Sequence, residues 1–425
     1  MKKNLRISYD EIHGVITPPP SKSYSQRYVL MASFLPGKKI IGPVGHSDDE
    51  NVALGIVKAC GMKVRAHEDG VLIEGEFSCP KTINCGESGT SFRLVHGLLF
   101  ASGCRTTINV EGKLSGRPMG PLLEVLRENG YVCTNEGKIY NVDASGRKEF
   151  NNVSIDGSSS SQFVSSIMLA MSLMKGKKSI TTTGKRSSEG YIQITSDVLE
   201  NLGVETEIVQ DKISIYGTAL TMNGTYMVER DYSSSAPLIA LGLLCSERGI
   251  TLRDLPYHSA QPDSAIVEIF GNLLHAERHE NTVDITASRK DTIPYFEVDV
   301  DRCPDLAPPL SIIGMFSRNG MGLRNPERLD LKESRRLSAI LEIANRLGSK
   351  VEYHEDRILI RKGTLPEDFK PADYHDHRMS MAQFIACAAL KNDFMFPDTG
   401  DVSKSYPDFF LHMRDIGFII GNQEE

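Results

Sequence analysis

Apolar positions recur at helical spacing in segments that end near a glycine and run into two short stretches of alternating apolar and polar residues. This is the pattern of an amphipathic helix followed by half-buried strands. The unit returns six times: NVALGIVKACGMKVRAHEDGVLI from residue 51, PLLEVLRENGYVCTNEGKIYNV from 121, SDVLENLGVETEIVQDKISIYG from 196, SAIVEIFGNLLHAERHENTVDIT from 264, SAILEIANRLGSKVEYHEDRILI from 338 and PDFFLHMRDIGF from 407. Aligned at the residue after the helix, the copies coincide at Gly61, Gly130, Gly203, Leu274, Gly348 and Gly417, at intervals of 69 to 74 residues. Glycine suits that position because the residue closing a helix is commonly left-handed, so Leu274 marks a copy whose helix must end differently. A second helical pattern precedes each copy, near Ser23, Ser91, Ser161, Ser234, Asp305 and Met379. Each repeat is therefore predicted to hold two helices and several strands, and six such α/β units divide three and three into two similar domains.

The length of 425 residues agrees, because one hydrophobic core stops growing at roughly 250 to 300 residues. With 40% hydrophobic and 24% charged residues the chain is an ordinary globular one, which excludes disordered, collagen-like and coiled-coil classes. The least polar stretches, 167–174 and 236–245, are too short to cross a bilayer, and the start MKKNLRISYDEIHG lacks the apolar run of a signal peptide. No membrane association and a cytoplasmic location are expected. The eight cysteines form no CxxC pair and read as reduced core thiols, so neither a disulfide nor zinc is expected. A net charge of -7 argues against a nucleic-acid partner, and it means that any anion site must gather Lys and Arg locally.

The first helix of each repeat is where such gathering occurs. The segments PSKSYSQR (20–27), GESGTSFR (86–93), GSSSSQ (157–162) and DYSSS (231–235) place small hydroxyl residues, glycine and cations at helix starts. Free N–H groups and the helix dipole favour anions there, and a simple N-cap explains one such serine better than four in register. In the later repeats Asp305, the run Lys332-Glu333-Ser334-Arg335-Arg336, Asp376-His377-Arg378 and Lys404 add charges of both signs. The acids of Ser47-Asp48-Asp49-Glu50 have capping-box spacing and read as helix-start stabilisers. No GxGxxG, P-loop or GxSxG motif is present, which removes support for dinucleotide, P-loop kinase and serine hydrolase chemistry.

These segments, with LSGRPMGPLLEVL, CPDLAPPL, LKESRRL, YHDHRMSMAQF and KSYPDFF, resemble the 5-enolpyruvylshikimate-3-phosphate synthase family over nearly the whole chain and in the family's order. The resemblance implies the enolpyruvyl transferase fold: two similar domains, each of three βαβαββ repeats about a pseudo-threefold axis. It divides the chain into 22–231 and 1–21 plus 232–425, with crossovers near 18–22 and 229–233. The implied reaction transfers the enolpyruvyl group of phosphoenolpyruvate to the 5-hydroxyl of shikimate 3-phosphate and releases phosphate, with no metal or organic cofactor. The partners are the two small molecules, and a monomer is expected.

Carried over residue by residue, the resemblance puts Lys22, Ser23, Arg27, Ser160, Ser161, Gln162, Ser188, Tyr191, Asp305 and Lys332 on shikimate 3-phosphate. Phosphoenolpyruvate falls to Lys22, Gly89, Arg117, Gln162, Arg336, Arg378 and Lys404. Asp305 is the implied acceptor of the hydroxyl proton, and Glu333, assisted by Lys22, is implied in proton transfer at C3. The chain departs from the family pattern at Glu87, Ser88, Leu94, Arg328 and Arg335, and Glu87 bears on how glyphosate would bind. Two alternatives stand beside this reading: the sister transferase acting on UDP-N-acetylglucosamine, whose loop cysteine is missing from Lys113-Leu114-Ser115-Gly116-Arg117, and a non-catalytic anion binder on the same fold.

Overall fold

The computed structural model describes residues 3–217 and 221–422. The chain divides into two compact units, Pro20–Glu229 and Met1–Pro19 with Arg230–Glu425. Each contains three repeats, and each repeat has its own small sheet.

The second repeat shows the plan. Strand Thr82–Asn84 leads through helix Gly89–Ser102 to the parallel strand Arg105–Asn109, and helix Gly120–Glu128 then leads to the antiparallel hairpin Val132–Glu136 and Ile139–Asp143. The third and fifth repeats follow the same βαβαββ order. The first repeat borrows its leading strand from the far end of its unit, since Gly224–Met227 pairs in parallel with Lys39–Gly42. In the other unit the N-terminal residues close the circle twice. Gly14–Ile16 leads the fourth repeat beside Ile250–Pro256. Lys3–Ser8 lies antiparallel between Asp393–Asp398 and Ile419–Asn422, supplying the last strand of the sixth. That sixth copy looked truncated in sequence because its missing strand is some 400 residues away.

Gly61, Gly130, Gly203, Gly348 and Gly417 all have positive φ, from 65° to 109°, as helix-closing residues require. At Leu274 the helix Ala265–Phe270 instead tightens into a 3₁₀ turn, Gly271–Leu273, and enters a strand directly. Ser47 and Glu50 form the reciprocal capping box at the start of helix Asp48–Ala59.

The first helices of the repeats form the middle of each unit and are buried nearly all round. His377–Leu390 buries twelve of its fourteen residues, and it packs on both Tyr232–Cys245 and Ala307–Phe316. In the other unit Gly89–Ser102 packs on Lys22–Phe34 and on Ser161–Ser172. There the contact is backbone to backbone: a Cβ on Gly97 would lie 2.2 Å from the Ser166 carbonyl oxygen, so only glycine fits.

Cys79 and Cys104 are joined by a disulfide, which corrects the expectation that every thiol is reduced. Pairing of Thr82–Asn84 with Arg105–Asn109 brings the residues just before these strands to a Cα separation of 5.4 Å, although they are 25 apart in sequence. Cys60, Cys85, Cys133, Cys245, Cys303 and Cys387 are free. Among the described residues no helix is long and apolar enough to cross a membrane.

Candidate functional site

In the unit Pro20–Glu229, three first helices begin close together. Gln26 ties two of the starts, its Nε2 donating to Ser88 Oγ at 2.9 Å and Ser91 Oγ at 3.0 Å. Gln162 ties in the third, donating to Thr90 Oγ1 at 2.8 Å while its Oε1 accepts from Arg93 Nη1 at 2.5 Å. Ser88 and Ser160 cap their helices by accepting from Ser91 N–H and Gln162 N–H. Converging starts of this kind present free N–H groups and positive dipole ends to one place. Besides Arg93, two further cations stand there. Lys22 Nζ pairs with buried Asp49 at 2.8 Å, and Arg117 lies over the start of the second helix, its Nη1 2.7 Å from where a Cβ on Gly89 would be.

Arg27 is 1% exposed. Its donors meet Thr195 Oγ1 at 2.8 Å, the Ser23 carbonyl at 2.8 Å and the Tyr191 carbonyl at 3.2 Å. All are neutral oxygens, and burial lowers its pKa to about 10, so it remains a cation at neutral pH. Ser188, also buried, starts helix Glu189–Asn201 in a left-handed conformation (φ 53°) and accepts at its carbonyl from Tyr191 N–H at 3.1 Å. A serine held at positive φ is strained, a cost of the kind met at binding sites. Ser23, Arg27, Tyr191 and Ser188 thus form one connected group.

In the other unit, Arg336 is the hub. This guanidinium is 1% exposed and joins three carboxylates: Nε to Asp376 Oδ2 at 2.8 Å, Nη1 to Asp305 Oδ1 at 2.7 Å and Nη2 to Glu333 Oε2 at 2.8 Å. Asp376 also caps helix His377–Leu390 through Arg378 N–H and accepts from Ser334 Oγ. Arg378 Nη2 reaches Asp305 Oδ2 at 3.1 Å and Ser233 Oγ at 3.1 Å. Lys332 Nζ lies 3.9 Å from Asp305 Oδ1. Burial pushes the Asp305 carboxyl up, but Arg378, Lys332 and Arg336 outweigh it and hold the group well below the ordinary carboxylate range. Arg336 is held charged well above its usual range, because its three acids outweigh the burial that would lower it. Asp263, 2% exposed, touches this net through Ser233 Oγ. Lys404 ends the 3₁₀ turn Asp401–Lys404 and is half-buried.

Of the residues singled out in sequence, Asp305, Lys332, Glu333, Arg336 and Arg378 form one ion-pair net. Ser23, Arg27, Ser188 and Tyr191 form a second group, and Gly89, Arg117, Ser160, Ser161 and Gln162 surround the adjoining helix starts. Sequence reading treated Asp49 as a helix-start acid only and passed over Asp263. Both lie at the start of their repeat's second helix. At the departures, exposed Glu87 rests against Gly112 in the loop before Arg117, Arg328 lies 3.7 Å from Asp301 and exposed Arg335 lies 3.4 Å from Asp330.

A family model for EPSP synthase (3-phosphoshikimate 1-carboxyvinyltransferase) matches residues 8–413. The 3-phosphoshikimate 1-carboxyvinyltransferase of Picrophilus torridus is 37% identical over 420 residues, covering 98% of this chain and 99% of the relative. That of Thermoplasma volcanium is 37% identical over 407 residues, covering 94% and 95%. Among solved structures, EPSP synthase from Acinetobacter baumannii superposes with a TM-score of 0.79 at 22% identity, covering 99% of this chain and 100% of that one. The enolpyruvyl transferase NikO from Streptomyces tendae gives 0.76 at 14% identity over the whole of both chains. At these identities the structural matches speak for the fold, two domains of three βαβαββ repeats.

Proposed function

This chain belongs to the EPSP synthase family, the 3-phosphoshikimate 1-carboxyvinyltransferases, and we propose how its residues carry out the family's reaction. That reaction moves the enolpyruvyl group of phosphoenolpyruvate to the 5-hydroxyl of shikimate 3-phosphate and releases phosphate. The observation that carries the assignment of roles is the pair of carboxylates, Asp305 and Glu333, fixed by one buried guanidinium at 2.7 and 2.8 Å.

Shikimate 3-phosphate is bound by the cations Lys22, Arg27 and Lys332, by the hydroxyls of Ser23, Ser160, Ser161 and Ser188, by Gln162 and by the ring of Tyr191, with Asp305 at its 5-hydroxyl. Phosphoenolpyruvate is bound by Lys22, Arg117, Arg378 and Lys404, by the helix start at Gly89 and by Gln162. Its carboxylate suits a guanidinium fork, whereas its phosphate accepts Lys or Arg. Arg336 orients the two acids and contributes positive charge.

In the free enzyme the depressed pKa of Asp305 guarantees an ionised carboxylate but a weak base. Two polyanionic substrates engage the same cations, weaken their hold on Asp305 and raise its basicity when a proton must be accepted. The 5-oxygen bonds to C2 as its proton passes to Asp305, and C3 gains a proton by way of Glu333, supplied by the Lys22 ammonium. This gives a tetrahedral intermediate. The C3 proton then returns to Glu333 and Lys22 as the bond between C2 and the phosphate oxygen breaks, which expels phosphate and restores the enol ether.

Phosphate release measured with each acceptor tests the reading. Turnover is expected with shikimate 3-phosphate and none with UDP-N-acetylglucosamine, and the reverse result would favour the sister enzyme. We take the acting form to be a cytoplasmic monomer, each unit being closed by strands of its own chain, and sedimentation of the purified protein tests the monomer. Gly89→Ala should separate binding from stability. Alanine favours the helix by up to about 1 kcal/mol over glycine, so the melting temperature should hold or rise. The added Cβ, 2.7 Å from Arg117 Nη1, must move that guanidinium and should raise KM for phosphoenolpyruvate. An unchanged KM would take Arg117 out of the site.

A further inference from the structure

Asp263 is a buried acid beside the charged net for which the proposed chemistry has no use. It sits in the 3₁₀ turn Pro262–Ser264 ahead of helix Ala265–Phe270, 2% exposed. Its Oδ2 accepts from Ser233 Oγ, and Oδ1 is buried with no hydrogen-bond partner. Ser233 Oγ in turn accepts from Arg378 Nη2 at 3.1 Å, the same nitrogen that reaches Asp305 Oδ2 at 3.1 Å. The hydroxyl can accept a hydrogen bond from the guanidinium only if its own hydrogen points elsewhere, and Asp263 fixes that direction.

We propose that Asp263 is a positioning residue for Arg378, which orients the guanidinium through the Ser233 hydroxyl and takes up a proton from solvent when phosphoenolpyruvate settles on Arg378. The proposal rests on the assignment of Arg378 to phosphoenolpyruvate made above. A buried carboxyl with one oxygen unpartnered is costly as an anion and tolerable as a neutral acid. Burial first, and then the charge of Asp305, push its pKa up to about 7, with Asp231 adding to the rise and Arg378 and Ser233 opposing it. The groups facing it are thus Asp305, Arg378, Asp231, the Ser233 hydroxyl and the Cys303 thiol, whose own pKa Asp263 helps to raise. A substrate anion on Arg378 removes the largest charge holding Asp263 ionised and adds negative charge nearby. Both favour the protonated carboxyl. Binding then carries one proton onto Asp263, and at alkaline pH the ionised carboxylate competes with the substrate for Arg378.

The test is KM for phosphoenolpyruvate at saturating shikimate 3-phosphate from pH 6 to 8.5, for the unaltered enzyme and for Asp263→Asn, which keeps the acceptor for Ser233 but cannot ionise. Taking the ratio of the two KM values cancels the ionisation of the substrate's own phosphate. The ratio of unaltered to variant should be about 1 at pH 6 and rise to about 5–10 at pH 8.5, near the tenfold that one unfavourable charge contact is worth. Asp263→Ala, which frees Ser233 and also cannot ionise, should have a higher KM for phosphoenolpyruvate than Asp263→Asn at every pH, with KM for shikimate 3-phosphate the same in both. A ratio that stays flat with an active unaltered enzyme overturns the proposal alone. An unaltered enzyme that releases no phosphate with shikimate 3-phosphate overturns the functional reading and the proposal with it.

Discussion

Asp305→Asn should lower turnover by about 10² to 10⁴, the usual cost of losing a positioned general base, while shikimate 3-phosphate still binds. The amide keeps the shape of the carboxylate and an acceptor oxygen for Arg336 Nη1, now 2.7 Å away, and it can still hydrogen-bond the substrate hydroxyl. What it loses is the ability to take the proton. Because one negative charge leaves a site that must bind two polyanions, KM for phosphoenolpyruvate should not rise. Measured kcat and KM together decide the point, since a loss confined to kcat marks an interaction made in the transition state. Near-normal kcat would remove Asp305 from the role. Glu333→Gln should differ in kind, slowing incorporation of deuterium from heavy water at C3.

How far this site could be read from sequence varies residue by residue. The helix starts at Lys22, Gly89 and Ser161 were legible because Ser, Gly and cations at an N-terminus have a local physical meaning. The repeat was legible because helix-closing glycines recur at a fixed interval. The sixth repeat's last strand, Lys3–Ser8, was not, since strand pairing across the length of the chain leaves no local mark. The bond between Cys79 and Cys104 was hidden for the same reason: it follows from sheet pairing and not from spacing. Asp49 was read as a cap because its neighbours Ser47 and Glu50 do form one, and nothing local says that its side chain turns to Lys22. Arg336 was legible as a cation, but its three simultaneous carboxylate partners come from separate turns and loops. Sequence shows charge and type, whereas only the fold shows which charges are already spent.

That commitment of Arg336 carries the second large effect expected. Arg336→Met keeps the stem and removes the guanidinium, which leaves Asp305, Glu333 and Asp376 together with one cation fewer. Breaking a buried ion pair by deleting one partner costs about 3–5 kcal/mol, because the other charge stays buried. In a unit of this size that corresponds to a melting temperature lower by roughly 6–20 °C. The pH dependence separates this cause from simple loss of packing. In the unaltered protein Asp305 and Asp376 have folded-state pKa values below their ordinary ones. Their contribution to stability is therefore complete above the unfolded value, about 3.9, and is lost as the pH falls from there towards the folded values. Between pH 7 and 5 these two groups leave stability flat. In the variant Asp305 keeps Arg378 and Lys332, but Asp376 loses the cation that chiefly opposes its burial, and its pKa should rise above the unfolded one. Protonation then favours the folded state, so the variant should regain stability as the pH is lowered from 7 to 5. Urea unfolding at both pH values reads the difference directly. A deficit that is the same at pH 7 and pH 5 would mean that Arg336 stabilises the unit by packing and not by pairing with buried carboxylates.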